Sequence, residues 1–296
     1  MKYYKYDEKK DVIYFGMYPQ SQVKDEALIE TLNKKSGAEF LYPTIHDWVF
    51  CNYTGPIIDV ELDEGVKTKY RGIVGQREDY EKSKKAPVTW FKFEPIKWKI
   101  LHKDEKEALL ISDLIIDNKP YIICGEEKVI MDYQGNYTKR KPYKSNYKYS
   151  YIRSWLNTEL YKNAFNLNEQ RIIKPSLIDN KSKYEIPFKE KKEVSSNLLC
   201  ENTEDKIFFL SYNEILSYFT NQNSEMIPYE RIAKCSEYTW SLNRCKDEHK
   251  FAYWLRSPSK DTWAFIIGNE GEILDYVIVG SWISGLGVRP ACVIKL

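Results

Sequence analysis

The sequence has no run of eighteen apolar residues, which excludes a bilayer-spanning helix. Net charge is nearly absent as well. The chain has 45 Lys and Arg against 43 Asp and Glu, leaving +2 over 296 residues and no global attraction toward nucleic acid or acidic lipid. Residues 1–10 are polar and charged and lack the apolar core of a secretory signal. Six cysteines (Cys51, Cys124, Cys200, Cys235, Cys245 and Cys292) are scattered without a CxxC pair or a regular framework. That distribution favours reduced thiols in a cytoplasmic protein over structural disulfides. A Gly-rich phosphate loop, a GxSxG elbow, an HExxH helix and a fixed-period repeat are all missing.

What the chain does have is bulk. Hydrophobic residues make up 43% and aromatic residues 15%, with 24 Tyr and 8 Trp, so the disordered and collagen-like classes are excluded. A chain of this mass buries roughly three quarters of its unfolded surface as one compact body. The expected organisation is a single domain over 1–296, with insertions at about 39–90, 125–149 and 180–204.

Local patterns predict a mixed α+β chain. Residues 11–18, DVIYFGMY, read as a strand stopped at Pro19. Residues 21–36 carry Val23, Ala27, Leu28 and Leu32 at helical spacing, with Gly37 placed as the cap. From 39 to 95 the irregular pattern suggests loops and short strands rather than a second core. Ile96, Trp98 and Ile100 alternate with Lys97 and Lys99, and residues 107–112 follow a short charged turn, which predicts a hairpin. Residues 151–165 set Ile152, Trp155, Leu156, Leu160 and Ala164 on one helical face. Capping boxes at Asn166/Glu169 and Ser211/Glu214 open two further helices. Residues 181–204 read as a charged surface excursion and 206–210 as a strand. Strands are also predicted at 253–257, 262–267, 273–279 and 288–296, with the first and last strands of the chain pairing side by side.

Several ordered blocks carry a family resemblance: YFGMYPQ at 14–20, WFKFEPIKWKIL at 90–101, YIRSWLNTELYKNAF at 151–165, DKIFFLSYNE at 205–214, YWLRSP at 253–258 and GVRPACVIKL at 287–296. Together they resemble the bacterial domain-of-unknown-function family 6273. The resemblance implies a C-type-lectin-like fold, distantly akin to formylglycine-generating enzyme and to variable binding proteins diversified by retroelements. It implies no established activity. Such a scaffold keeps its sheets and places function in long loops or on the C-terminal face.

Each candidate chemistry is weighed against a structural reading. An enzyme of the formylglycine-generating type needs a reactive cysteine pair, whereas the final strand holds only Cys292, whose alternation with Val288, Pro290, Ile294 and Leu296 points it at a core. Cys235, Cys245 and His249, with His102 or His46, match no compact zinc spacing. Asp59, Glu61, Asp63 and Glu64 lack a calcium-loop pattern and read as a solvated acidic turn. Arg153 with Asn157, Arg256 and Arg289 read as hydrogen-bond anchors. Residues 137–149 interleave Lys139, Arg140, Lys141, Lys144 and Lys148 with Tyr143 and Tyr147. That is the best nucleic-acid signal in the chain, but it is outweighed by a solvated-loop reading. Trp282, between glycines in GSWISGLG, with Trp263 and Tyr276 on the preceding strands, is the candidate ligand surface.

The expected protein is therefore a cytoplasmic binding module without cofactor or metal, whose partner is a protein, peptide or carbohydrate, with neither nucleic acid nor membrane. The alternatives are an enzyme on a formylglycine-generating-type scaffold and a nucleic-acid-binding accessory protein.

Overall fold

A computed structural model describes residues 3–36, 54–63, 66–74, 88–123, 129–131, 134–139, 145–180, 200–219, 229–242, 250–260, 262–279 and 285–296. The content is 26% helical and 46% strand, an α+β chain. Nine strands form the larger sheet, and every pairing in it is antiparallel. Its main path runs Lys5–Asp7, Val12–Gln22, Val88–Lys103, Glu107–Ser112, Ala291–Lys295 and Ile173–Lys174. A smaller sheet of five strands runs Ile273–Ile278, Trp263–Ile267, Tyr253–Lys260, Leu286–Val288 and Asp117–Lys119. Among the described residues no helix is long and apolar enough to cross a membrane.

Two adjacent segments cross from one sheet to the other. The strand Glu107–Ser112 leads to Asp117–Lys119, and Leu286–Val288 leads back through Arg289 and Pro290 to Ala291–Lys295. Pro290 offers no N–H, so the ladder must break there, but its carbonyl still accepts from Ser112 N at 2.9 Å. Arg289, 1% exposed, fixes the corner by donating to Ser112 O at 3.1 Å, Arg231 O at 3.3 Å and the Tyr253 hydroxyl at 3.0 Å. It is the anchor that its place before a proline suggested.

The main core lies between the sheets and the helical stretch 151–164. Ile152, Trp155, Leu156, Leu160 and Ala164 are all buried in it, as their spacing requires. Both capping boxes form. The 96–112 hairpin forms in the predicted alternation, with Ile96 and Trp98 buried and Lys97 turned out to Asp113 at 2.7 Å.

Other expectations are corrected. The first and last long strands share a sheet but are not neighbours, because the hairpin of Val88–Lys103 and Glu107–Ser112 lies between them. The first long strand does not stop at Pro19. It runs Val12–Gln22, with Pro19 opposite Phe93 and register shifts on both sides, and such bulges free a residue from donating to the ladder. Gly16 makes the first shift possible. It takes φ +70° and donates its N–H to Glu169 Oε1 at 2.8 Å. The helix correspondingly starts later, at Glu26.

The 39–95 stretch is not merely irregular. Thr54–Asp63 and Val66–Val74 form a hairpin that extends the larger sheet beside Val88–Lys103. Val23, Leu32, Val60, Tyr70 and Trp90 close a separate apolar cluster beneath the helix Glu26–Ser36, with Trp90 Nε1 donating to Asn33 Oδ1 at 2.8 Å. The expected excursion at 181–204 holds a strand at its end: Thr203–Asp205 pairs with Ser176–Ile178, and Thr203 and Asp205 are buried. Residues 181–199 lie outside the described residues.

Candidate functional site

Strand alternation and helix periodicity aim side chains from seven elements, Ile57 of Thr54–Asp63 among them, into one cavity of about 270 Å³. One wall is the larger sheet. Val12–Gln22 contributes Tyr18, Val88–Lys103 contributes Phe93, and Val66–Val74 contributes Lys69 and Arg71, which share a face while Tyr70 between them turns inward and is buried. The other wall comes from Asp117–Lys119 at the edge of the smaller sheet, from the helix Glu237–Leu242 through Tyr238, and from the helical stretch 151–164. Tyr151, Trp155 and Glu159 recur every four residues along that stretch and line the cavity together. Leu156–Leu160 is a π-turn, a local widening that is frequent at functional sites.

Asp117 is 1% exposed. Its Oδ2 accepts from the Tyr18 hydroxyl and forms an ion pair with Lys119 Nζ at 3.2 Å, and its Oδ1 accepts from Asn118 N at 2.6 Å. A carboxylate so satisfied is tolerated at depth because the lysine offsets its charge. Lys119 Nζ also sits 5.2 Å from the Trp155 ring centroid. Tyr238 meets Tyr18 edge-on at 6.0 Å and Phe91 at 5.5 Å, which fixes both rings.

The three phenols of the cavity all titrate above the ordinary tyrosine value. Burial raises Tyr18 first, then Asp117 and Tyr238, against a smaller opposing pull from Arg71. Burial and Asp117 raise Tyr238, again opposed by Arg71. Burial, Glu159 and Asp117 raise Tyr151. All three therefore remain O–H groups near neutrality and serve as hydrogen-bonding surface rather than as proton donors of tuned acidity. The Arg71 Nε is buried and has no hydrogen-bond partner among the described residues. The arrangement sets aromatic faces and fixed charges around one void.

Trp263, singled out in the sequence, opens the strand Trp263–Ile267, is half-buried and is not among the residues that line the cavity. Tyr276 belongs to the strand Ile273–Ile278, but its side chain lies outside the described residues, as does Trp282 entirely. Cys292 is 0% exposed, opposite Leu110 and Ile207, and burial pushes its thiol up, as a core residue requires. Cys200, Cys235 and Cys292 are buried and in no disulfide. Cys245, His249 and His46 lie outside the described residues, and among those described no group of three His, Cys, Asp or Glu could hold a metal.

Asp59 and Glu61 are exposed on the Thr54–Asp63 strand, not in a loop. Of the basic segment 137–149, residues 140–144 lie outside the described residues. Tyr147, expected to offer a stacking face, is 0% exposed in the main core. Lys148 is committed to Glu201. The arginines are anchors: Arg153 Nε reaches Asp205 Oδ1 at 2.8 Å, and Asn157 Nδ2 donates to Arg153 O and Ile207 O while its Oδ1 accepts from Lys206 N and Ile207 N.

Sequence reasoning missed the cavity because its polar members come singly from distant strands. Of the lining residues, Trp155 and Leu160 read in the sequence as core positions of a helix and Pro19 as the end of a strand. The available signal was two charged alternations inside otherwise apolar segments, Lys69-x-Arg71 and Asp117-x-Lys119.

The model of the family described as Domain of unknown function (DUF6273) matches residues 105–296, and the chain belongs to that family. The match contains the wall bearing Asp117, Lys119, Tyr151, Trp155 and Tyr238; the wall bearing Tyr18, Lys69, Arg71 and Phe93 precedes it. The blocks at 14–20 and 90–101 also lie before the match. No curated protein and no solved structure matches the chain.

Proposed function

We propose that this DUF6273 chain is a small-molecule binding module with a C-type-lectin-like fold, and that its ligand occupies the cavity between the larger sheet and the helical stretch 151–164. The observation that carries this reading is the convergence, in one cavity of about 270 Å³, of a buried charge-balanced Asp117 and a buried unpartnered Arg71 Nε. Isolated structural ion pairs do not need an accessible void beside them, whereas recognition sites do. Drug-sized ligands occupy pockets from roughly 300 Å³ upward. The occupant is then a compact molecule or the end residue of a peptide or sugar chain, not a long polymer segment. Buried thiols in no disulfide, at Cys200, Cys235 and Cys292, are compatible with a reducing, cytoplasmic setting.

Fragment screening by crystal soaking or by NMR on the full chain tests this. Fragments should gather against Trp155, Tyr18 and Phe93. Fragments that instead gather around Trp263, Tyr276 and Trp282, on the C-terminal face, would transfer the binding reading to that surface. A screen with no hits in either place would overturn it.

A further inference from the structure

Resting on that binding reading, we propose that the occupant of the cavity carries an acidic group, a carboxylate or a phosphate, that pairs with Arg71. Five charged side chains line the void: Lys69, Arg71 and Lys119 against Asp117 and Glu159, the last an exposed carboxylate on the helical wall, so positive charge is in excess by one. Asp117 is spent: both of its oxygens accept bonds within the protein, and Lys119 supplies its counter-charge. Lys119 is in turn held by that carboxylate and by the Trp155 face.

Arg71 differs. Its Nε is buried without a hydrogen-bond partner among the described residues, as are Arg256 Nε and Arg289 Nη2, but those two guanidiniums are held through their other nitrogens, whereas no hydrogen bond or ion pair joins Arg71 to a described residue. A guanidinium presents parallel N–H groups that match two oxygens of a carboxylate or phosphate, so an acidic ligand satisfies Nε and the charge in one contact. Lys69 lies on the same strand face two residues away, exposed at the rim with its Nζ 5.6 Å from the Phe93 ring centroid, and adds a second positive charge at the entrance. The aromatic walls then suit an apolar or ring-bearing body attached to the acid.

The test titrates the full chain with three probes of similar size: phenylacetate, phenyl phosphate and the neutral benzyl alcohol. At least one anion should bind tenfold or more tightly than benzyl alcohol, and the ratio between the two anions tells carboxylate from phosphate recognition. Arg71→Gln should erase that tenfold preference, bringing both anions level with benzyl alcohol measured on the same variant, and Lys69→Gln should reduce it by a smaller factor. If benzyl alcohol binds as tightly as both anions, or if Arg71→Gln keeps the preference, the acidic-group inference fails while the cavity still stands as a binding site. If none of the three probes perturbs Tyr18 or Trp155 signals in the unsubstituted protein, both inferences fail. Because the probe comparison is made on the unsubstituted chain, misfolding of a variant cannot rescue the idea.

Discussion

Two arginines, one before residue 105 and one inside the family-matched segment, show how differently the two parts of the molecule handle charge. Arg256, in the matched part, is 2% exposed. It spends its guanidinium on the Glu214 carboxylate at 2.5 and 2.8 Å and on the carbonyls of Phe209 at 2.6 Å and Asp179 at 3.3 Å. Arg71, in the preceding part, lines the cavity; its Nε is buried without a partner, as is that of Arg256, but no hydrogen bond or ion pair joins the rest of its guanidinium to a described residue. The first arginine is structural cement for the loops around the smaller sheet. The second stands on a strand paired on both sides and lends its guanidinium to none of the described residues. The matched segment thus supplies scaffold, aromatic wall and balanced carboxylate, while the preceding segment supplies the unspent positive charge.

The largest effect that would sharpen this contrast is on stability. Arg256→Met should cost about 3 kcal/mol or more in denaturant unfolding, because Glu214 and two carbonyls lose a buried donor. Arg71→Gln should stay within about 0.5 kcal/mol. Equal losses would show that Arg71 is structural too.

The seam between the two parts comes next. A Cβ on Gly16 would meet Phe165 Cε1 at 2.6 Å, and the backbone there sits at φ +70°. Gly16→Ala should therefore destabilise by about 2–4 kcal/mol, the combined cost of overpacking and left-handed strain. Thermal melts would decide, and an unchanged melting temperature would mean that the seam is looser than Gly16, Glu169 and Phe165 suggest.

Acid should weaken the matched part through a smaller term. Burial tends to raise the Glu214 carboxyl, but Arg256 and the Ser211 cap override it and hold the group below its usual value. A folded value below the unfolded one, near 4.3, means the stabilisation is complete above about pH 4.3 and is lost as pH falls through the folded value. Glu214→Gln should flatten the acid side of the stability profile, and a profile that keeps its full slope would assign the pH dependence elsewhere. Smallest of all, Tyr18→Phe removes one of the donors to Asp117 while Lys119 and Asn118 remain, for about 1 kcal/mol or less. A larger loss would make Tyr18 the principal holder of that carboxylate.

The sequence by itself determined the elements whose signal is local. The helical stretch at 151–164 follows from five apolar residues on one face, the two short helices from their capping boxes, and the 96–112 hairpin from period-two alternation. Cys292, Arg153, Arg256 and Arg289 were also legible as core and anchors, since strand alternation and a neighbouring proline set their surroundings within a few residues. Only the tertiary structure decided the rest. Pro19 reads as a stop until bulges around it release the ladder, and the first strand finds its neighbour through a hairpin nearly eighty residues away rather than through the C-terminal strand. The cavity belongs to that second kind. Tyr18, Arg71, Asp117 and Trp155 are unremarkable one at a time, and their chemistry exists only where strands of both sheets and the helical stretch 151–164 bring them to line the same space. Periodicity specifies which way a residue points, but not what it will find there.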